Sequence, residues 1–258
     1  MEESLLFEFL EEKYQYYNQR SFIESDPISI PHLFTQREDI EIAGFIIATI
    51  SWGNRKSIIQ NGHRLMHFMG QSPFDYVMSY NKKAAATLIK KGFVHRTFNS
   101  SDLDYFIVAI QYLYKNLKGF EAVFKSHMNA VDGNLKQAIA GFGTTFCSIK
   151  PPGRTAKHIA RPQDNSAAKR INMYLRWMVR KDQAGVDFGL WKQISPALLS
   201  IPLDVHSGNV ARKLGLLQRK QNDWKAVEEL DAALRRFDPI DPIKYDYALF
   251  GLGAFERF

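Results

Sequence analysis

The chain has 258 residues, with 34 lysines and arginines against 27 acids for a net charge of +7, and 45% hydrophobic and 13% aromatic residues. That composition can supply a core and excludes intrinsic disorder. The longest apolar run, residues 42–50, falls far short of the roughly 20 residues a membrane-spanning helix needs, and a single cysteine, Cys147, excludes an internal disulfide, a Cys-rich zinc site and a four-cysteine iron–sulfur cluster.

Helical spacing dominates from the N-terminus onward. Residues 1–12 hold five acids and no base, unlike the basic start of a secretory signal, so a reducing cytoplasm is expected. Ile40, Ala43, Gly44, Ile47 and Ile50 follow an amphipathic stripe entered through Arg37, Glu38 and Asp39. Ser100, Ser101 and Asp102 form an N-cap cluster before a second stripe from Leu103 to Leu117. Residues 168–180 predict a third helix, with Ile171, Tyr174, Leu175, Met178 and Val179 inward and the arginines outward. Trp224, Val227, Leu230, Leu234 and Phe237 mark a fourth, and Asp241-Pro242 opens a last helix through Tyr245, Leu249 and Leu252. No segment sustains an alternation of period two, so the fold class read here is all-α.

Two stretches break the pattern. Residues 147–165 carry three prolines, a glycine and five bases, His158 included, without apolar period, which reads as a long basic loop. Between Lys150 and Lys181 there are nine bases and one acid, Asp164, a concentration that suits phosphate contacts or, equally, a solvated basic surface. The other break, residues 195–208, brings Pro202 and Leu203 to Asp204 at the mouth of a helix. There the helix N–H groups and dipole favour a carboxylate, either as a plain N-cap or as a functional group.

The Pro-Leu-Asp-Val-His run at 202–206, followed by Val210-Ala211-Arg212-Lys213-Leu214-Gly215-Leu216, resembles the loop and aspartate of the HhH-GPD superfamily of DNA glycosylases. Residues 40–57 are similar to the helix that opens that fold and its DNA-contacting turn, and residues 244–253 to its closing helix. The resemblance spans about residues 38–255. The Leu-Pro-Gly-x-Gly hairpin of many members is absent, since residues 187–200 occupy its place with Gly189 as their only glycine. The archaeal 8-oxoguanine glycosylase branch is nearer in layout, because Lys169 stands 35 residues before Asp204, where that branch has its lysine. The chain also resembles a bacterial family of unknown function in its Ser-Ala-x-Lys-Arg-x-Asn run at 166–172 and Leu-Arg-Trp-Met-Val-Arg at 175–180.

The resemblance implies a two-lobed helical protein with DNA across the cleft: lobe one over about 38–140, lobe two from 1–37 plus 165–258, and the basic loop 147–165. It implies a base-excision glycosylase with AP-lyase activity on an oxidised purine. Lys169 would be the Schiff-base nucleophile, with Arg170 beside it and Arg176 two turns on as the cations that favour a neutral amine. Asp204 would oppose the positive charge of the sugar or take the lysine's proton. Asp246, Phe250, Arg176 and Trp52 are the base-pocket candidates, as a flipped base needs stacking faces and polar edges. Phe250 in the core and Asp246 on the surface is the plainer reading. Arg154, Lys157, Arg161, Arg170, His206 and Asn54 are the DNA-backbone candidates; Asn54 belongs to the turn Trp52-Gly53-Asn54, where endonuclease-type relatives carry a glutamine. No metal or other cofactor is expected. His63 and His67 have the spacing of paired zinc ligands, but residue 64 is an arginine and no acidic third ligand is near.

The expected partner is damaged double-stranded DNA, met by a monomer on the nucleoid with no membrane role. Three rivals stay open: a non-catalytic DNA- or RNA-binding protein on the same scaffold, a glycosylase in which Asp204 activates water, and a helical interaction protein docking through its acidic N-terminus.

Overall fold

A computed structural model describes residues 2–258. The protein is mostly helical, and the one sheet among the described residues is a two-stranded hairpin. Two compact units divide the chain: Met1–Glu24 with Arg161–Phe258, and Ser25–Ala160. The boundaries differ from the expected lobes, because residues 25–37 and the basic loop as far as residue 160 fall in the inner unit. No helix is long and apolar enough to cross a membrane.

The inner unit is built on α3 (Arg37–Ile50), in which every residue from Asp39 to Ile50 is buried. The expected one-sided stripe is therefore corrected. Asp39 and Glu41, on the polar side, are also enclosed, and each has partners: Asp39 accepts the Phe74 N–H at 2.7 Å, and Glu41 takes Arg37 at 3.0 Å and the Tyr114 hydroxyl at 2.6 Å. Burial of a charge is tolerated when it is paired in this way. Around α3 stand α4 (Arg55–Phe68), α5 (Pro73–Met78), α6 (Lys82–Lys91), the hairpin β1 (Val94–His95) and β2 (Phe98–Asn99), α7 (Ser100–Leu117), α8 (Phe120–Ala130) and α9 (Leu135–Phe146). Phe45 meets Phe106, Phe120, Phe142 and Phe146, with ring centroids 4.8 Å apart for the Phe45–Phe120 pair. The cap of α7 is Asn99, one residue before the expected cluster: its side chain takes the Ser101 and Asp102 N–H groups while Asp102 takes the Asn99 N–H.

The terminal unit holds α1 (Glu3–Tyr17), α2 (Arg20–Glu24), α10 (Lys169–Val179), α11 (Val205–Lys213), α12 (Trp224–Phe237) and α13 (Asp246–Gly251). α1 packs on α13, where a Cβ on Gly251 would lie 2.2 Å from the Tyr17 ring. α10 is buried from Ile171 through Val179. Its arginines do not point outward as expected: Arg176 and Arg180 are both enclosed, because aspartates from distant segments meet them. The last helix is composite, a 3-10 turn over Pro242–Tyr245 followed by α13 and a closing π turn over Leu252–Glu256.

Candidate active site

Lys169 owes its position to a strained turn. Ser166 pairs with Asp223 in an isolated bridge, and Asn165 donates to the Asp223 carboxylate at 2.9 Å. Ala168 then adopts a left-handed conformation (φ 50°) while buried, which costs an L-residue roughly 1–2 kcal/mol. The Ser166 hydroxyl accepts the Ala168 N–H at 3.2 Å, and buried Asn172 donates to the Ala167 carbonyl at 3.2 Å. These contacts account for serine and asparagine in the 166–172 run: together they start α10 at Lys169.

Asp204 is held by a different device. Buried Pro202 and Leu203 deliver it to the N-cap of α11, where Oδ1 accepts the Ser207 N–H at 3.0 Å and the Ser207 hydroxyl oxygen accepts the Asp204 N–H at 3.0 Å. Asn222 donates to the Asp204 carbonyl at 2.9 Å and is itself held by Arg212 at 2.6 Å. The cap thus occupies one carboxylate oxygen and leaves Oδ2 3.7 Å from the Lys169 Nζ. Both side chains remain partly open to solvent, at 30% exposure for Lys169 and 20% for Asp204. The cap reading and the functional reading of Asp204 are compatible, one oxygen for each.

Nearby in the same unit lies a buried charge cluster. Arg176 pairs with Asp187 at 3.2 Å and with Asp246, and its guanidinium sits 4.3 Å from the centre of the Tyr247 ring. Arg180 pairs with Asp182 at 2.7 Å, Asp187 at 3.1 Å and Asp241 at 2.9 Å, and donates to the Tyr14 hydroxyl at 2.7 Å. Burial pushes the Asp246 carboxyl up to about 6; Arg176 and Lys169 oppose that rise, and the Asp204 charge adds to it. Asp246 therefore feels both members of the Lys169–Asp204 pair. It is not the surface residue of the plainer reading.

The remaining candidates are dispersed. Phe250 is half-buried against Phe22, His206 and Phe255. His206 is exposed, with Nδ1 3.3 Å from the Gly253 carbonyl, and a Cβ on Gly253 would lie 2.9 Å from the His206 carbonyl oxygen, so the final turn packs closely on the start of α11. Burial lowers the Arg170 guanidinium to about 10. Arg161 is exposed and paired with Asp164 at 2.8 Å. Trp52, Asn54, Arg154 and Lys157 belong to the inner unit. There Trp52 stacks on His158 with ring centroids 5.8 Å apart, Asn54 caps α4, and Arg154 and Lys157 are exposed. Among the described residues, no group of three or more His, Cys, Asp or Glu is placed to hold a metal ion.

Sequence reasoning missed Asp187, Asn222 and Ser207. The Ser207 signal was present, three residues after Asp204 in the spacing of a capping box. Asp187 and Asn222 act through chain closure and leave no local pattern. What the arrangement offers chemically is an amine beside a fixed carboxylate, open on one side to solvent and backed by a buried Arg–Asp cluster. No curated protein and no solved structure matches the chain. Residues 26–255 match the family described as Protein of unknown function (DUF2400), and the chain belongs to that family.

Proposed function

We propose that this protein is a DNA glycosylase with AP-lyase activity, of the HhH-GPD type, acting on an oxidised purine in duplex DNA. The observation that carries the reading is the approach of Lys169 Nζ to Asp204 Oδ2, 3.7 Å, from two helix starts far apart in sequence. Asp204 takes a proton from the Lys169 ammonium, and the neutral amine attacks C1′ of a flipped nucleotide. The C1′–N bond breaks, its electron pair and a proton leave with the base, and the sugar ring opens to a Schiff base on Nζ. Loss of a proton from C2′ then expels the 3′ phosphate. Asp204 hands the lysine's proton on to the departing base, and the carboxylate so restored opposes the positive charge on the sugar.

Three features support this reading. The carboxylate is fixed by a cap on a helix start, which gives the tight positioning such chemistry requires. Ala168 stores backbone strain directly before the lysine, a placement common at active sites. The Arg170 guanidinium next to it adds a second positive charge for an anionic ligand. Strand cleavage on a duplex with one 8-oxoguanine, scored without alkali, tests the reading. Cleavage by wild type and none by Lys169→Gln is the expected result. Base release that requires alkali for strand scission would favour the water-activating alternative, for which the partly exposed Asp204 is the relevant feature.

A further inference from the structure

We propose that the inner unit carries a phosphate-binding pocket between the start of α7 and the 152–157 segment. A cavity of about 390 Å³ is lined there by Asn99, Ser101, Gly153, Arg154, Thr155 and Lys157, with Pro152 and Asp102 completing its wall. Arg154 and Lys157 are exposed, and neither forms an ion pair among the described residues. Arg161, in the same basic loop, is by contrast paired with Asp164. The only carboxylate on the wall, Asp102, is already engaged by the Thr155 hydroxyl at 2.6 Å, the Asn99 N–H at 2.9 Å and His158 at 3.4 Å. These contacts tie Thr155 and His158 to the start of α7, and Arg154 and Lys157 lie on the cavity wall beside them.

A planar guanidinium, an ammonium and the Ser101 hydroxyl present donors of three geometries, and an anion with several tetrahedral oxygens uses all of them where a single carboxylate cannot. The depression is open to solvent and roomier than a bare phosphate, which leaves space for a phosphate carried on a larger body. If the DNA reading above holds, that body is the strand backbone, and this step rests on it. A free phosphorylated small molecule presents the same chemistry.

The test uses the full chain, a fluorescein-labelled undamaged duplex titrated at several salt concentrations, and inorganic phosphate followed by the backbone amide resonances of Ser101 and Gly153. Arg154→Ala/Lys157→Ala is the variant, with unchanged thermal unfolding as the check on its fold and Arg154→Lys/Lys157→Arg as the charge-retaining control. We expect the variant to bind duplex about tenfold more weakly at low salt, with the slope of log affinity against log salt reduced by about two and the control restoring it. We also expect phosphate to shift both amides in wild type but not in the variant. Amide shifts with an unchanged duplex slope would assign the pocket to a free phosphorylated molecule. Amide shifts in a wild type that binds no duplex would sustain the pocket and overturn the DNA reading. An unchanged slope with no amide shift would overturn the pocket.

Discussion

Arg154 and Lys157 lie at one end of the basic stretch, Arg176 and Arg180 at the other, and the same kind of charge meets opposite surroundings. The first two are exposed and unpaired; the last two are buried among Asp182, Asp187, Asp241 and Asp246. Charge counted along a sequence is therefore a poor guide to a binding surface. What separates the two ends is the supply of carboxylates from elsewhere in the chain, and it turns one group of cations into architecture while leaving the other for a ligand. Lys169 stands between them in character, half-exposed and facing a single aspartate.

The comparison breaks most sharply at Arg180. Removing it leaves partly buried Asp241 without its cation and buried Asp187 with Arg176 alone, and a broken buried pair costs about 3–5 kcal/mol. Arg180→Leu should lower the urea-unfolding free energy by that amount. A loss below about 1 kcal/mol would show that the cluster is not a structural keystone.

Asp204→Asn is next. Asparagine is as good an N-cap as aspartate, so the fold should hold within about 0.5 kcal/mol. The charge opposite Lys169 disappears, and base excision should fall on the order of 10²-fold, near 3 kcal/mol in the barrier, in single-turnover kinetics. Equal rates would detach Asp204 from the chemistry.

Asp246 supplies a pH signature. Its folded-state value of about 6 lies above the ordinary 3.8, so between those limits the folded protein binds more protons than the unfolded chain. Its contribution to stability is fully present below about pH 4 and is lost as pH rises through about 6, an effect on the order of 3 kcal/mol. Stability curves of wild type and Asp246→Asn, compared from pH 4 to 7, should differ in slope in that sense. Buried Asp231, also raised to about 6, should remain as a slope of similar size common to both. Parallel curves would contradict the assignment.

The smallest effect concerns the wall of the phosphate pocket. Asn99→Ala removes the cap of α7 and should cost about 1 kcal/mol in thermal unfolding, while weakening duplex binding far less than loss of Arg154 and Lys157.

Much of the helical framework was legible because apolar period survives wherever a helix has a solvent face, as in α7 and α12. It located α3 and α10 as well but assigned them a solvent face they lack: there the polar residues that mark an outward face are buried with partners from other parts of the chain. The loop from 147 to 165 shows no apolar period, yet it forms 3-10 turns at Thr155–His158 and Pro162–Asp164. Within the site, Lys169 and Asp204 were readable as a pair through resemblance alone, and the structure brings them to 3.7 Å. The fate of Arg176 was not readable, since nothing near residue 176 announces Asp187 or Asp246.

Borohydride trapping on a duplex carrying one 8-oxoguanine tests the central claim most directly, because reduction converts a Schiff base into a stable protein–DNA adduct. The account predicts an adduct with wild type, none with Lys169→Gln, and none with undamaged duplex. An adduct that survives the substitution would exclude Lys169 as the nucleophile. No adduct with wild type on this lesion, on other damaged bases or on an abasic site would contradict the lyase chemistry itself.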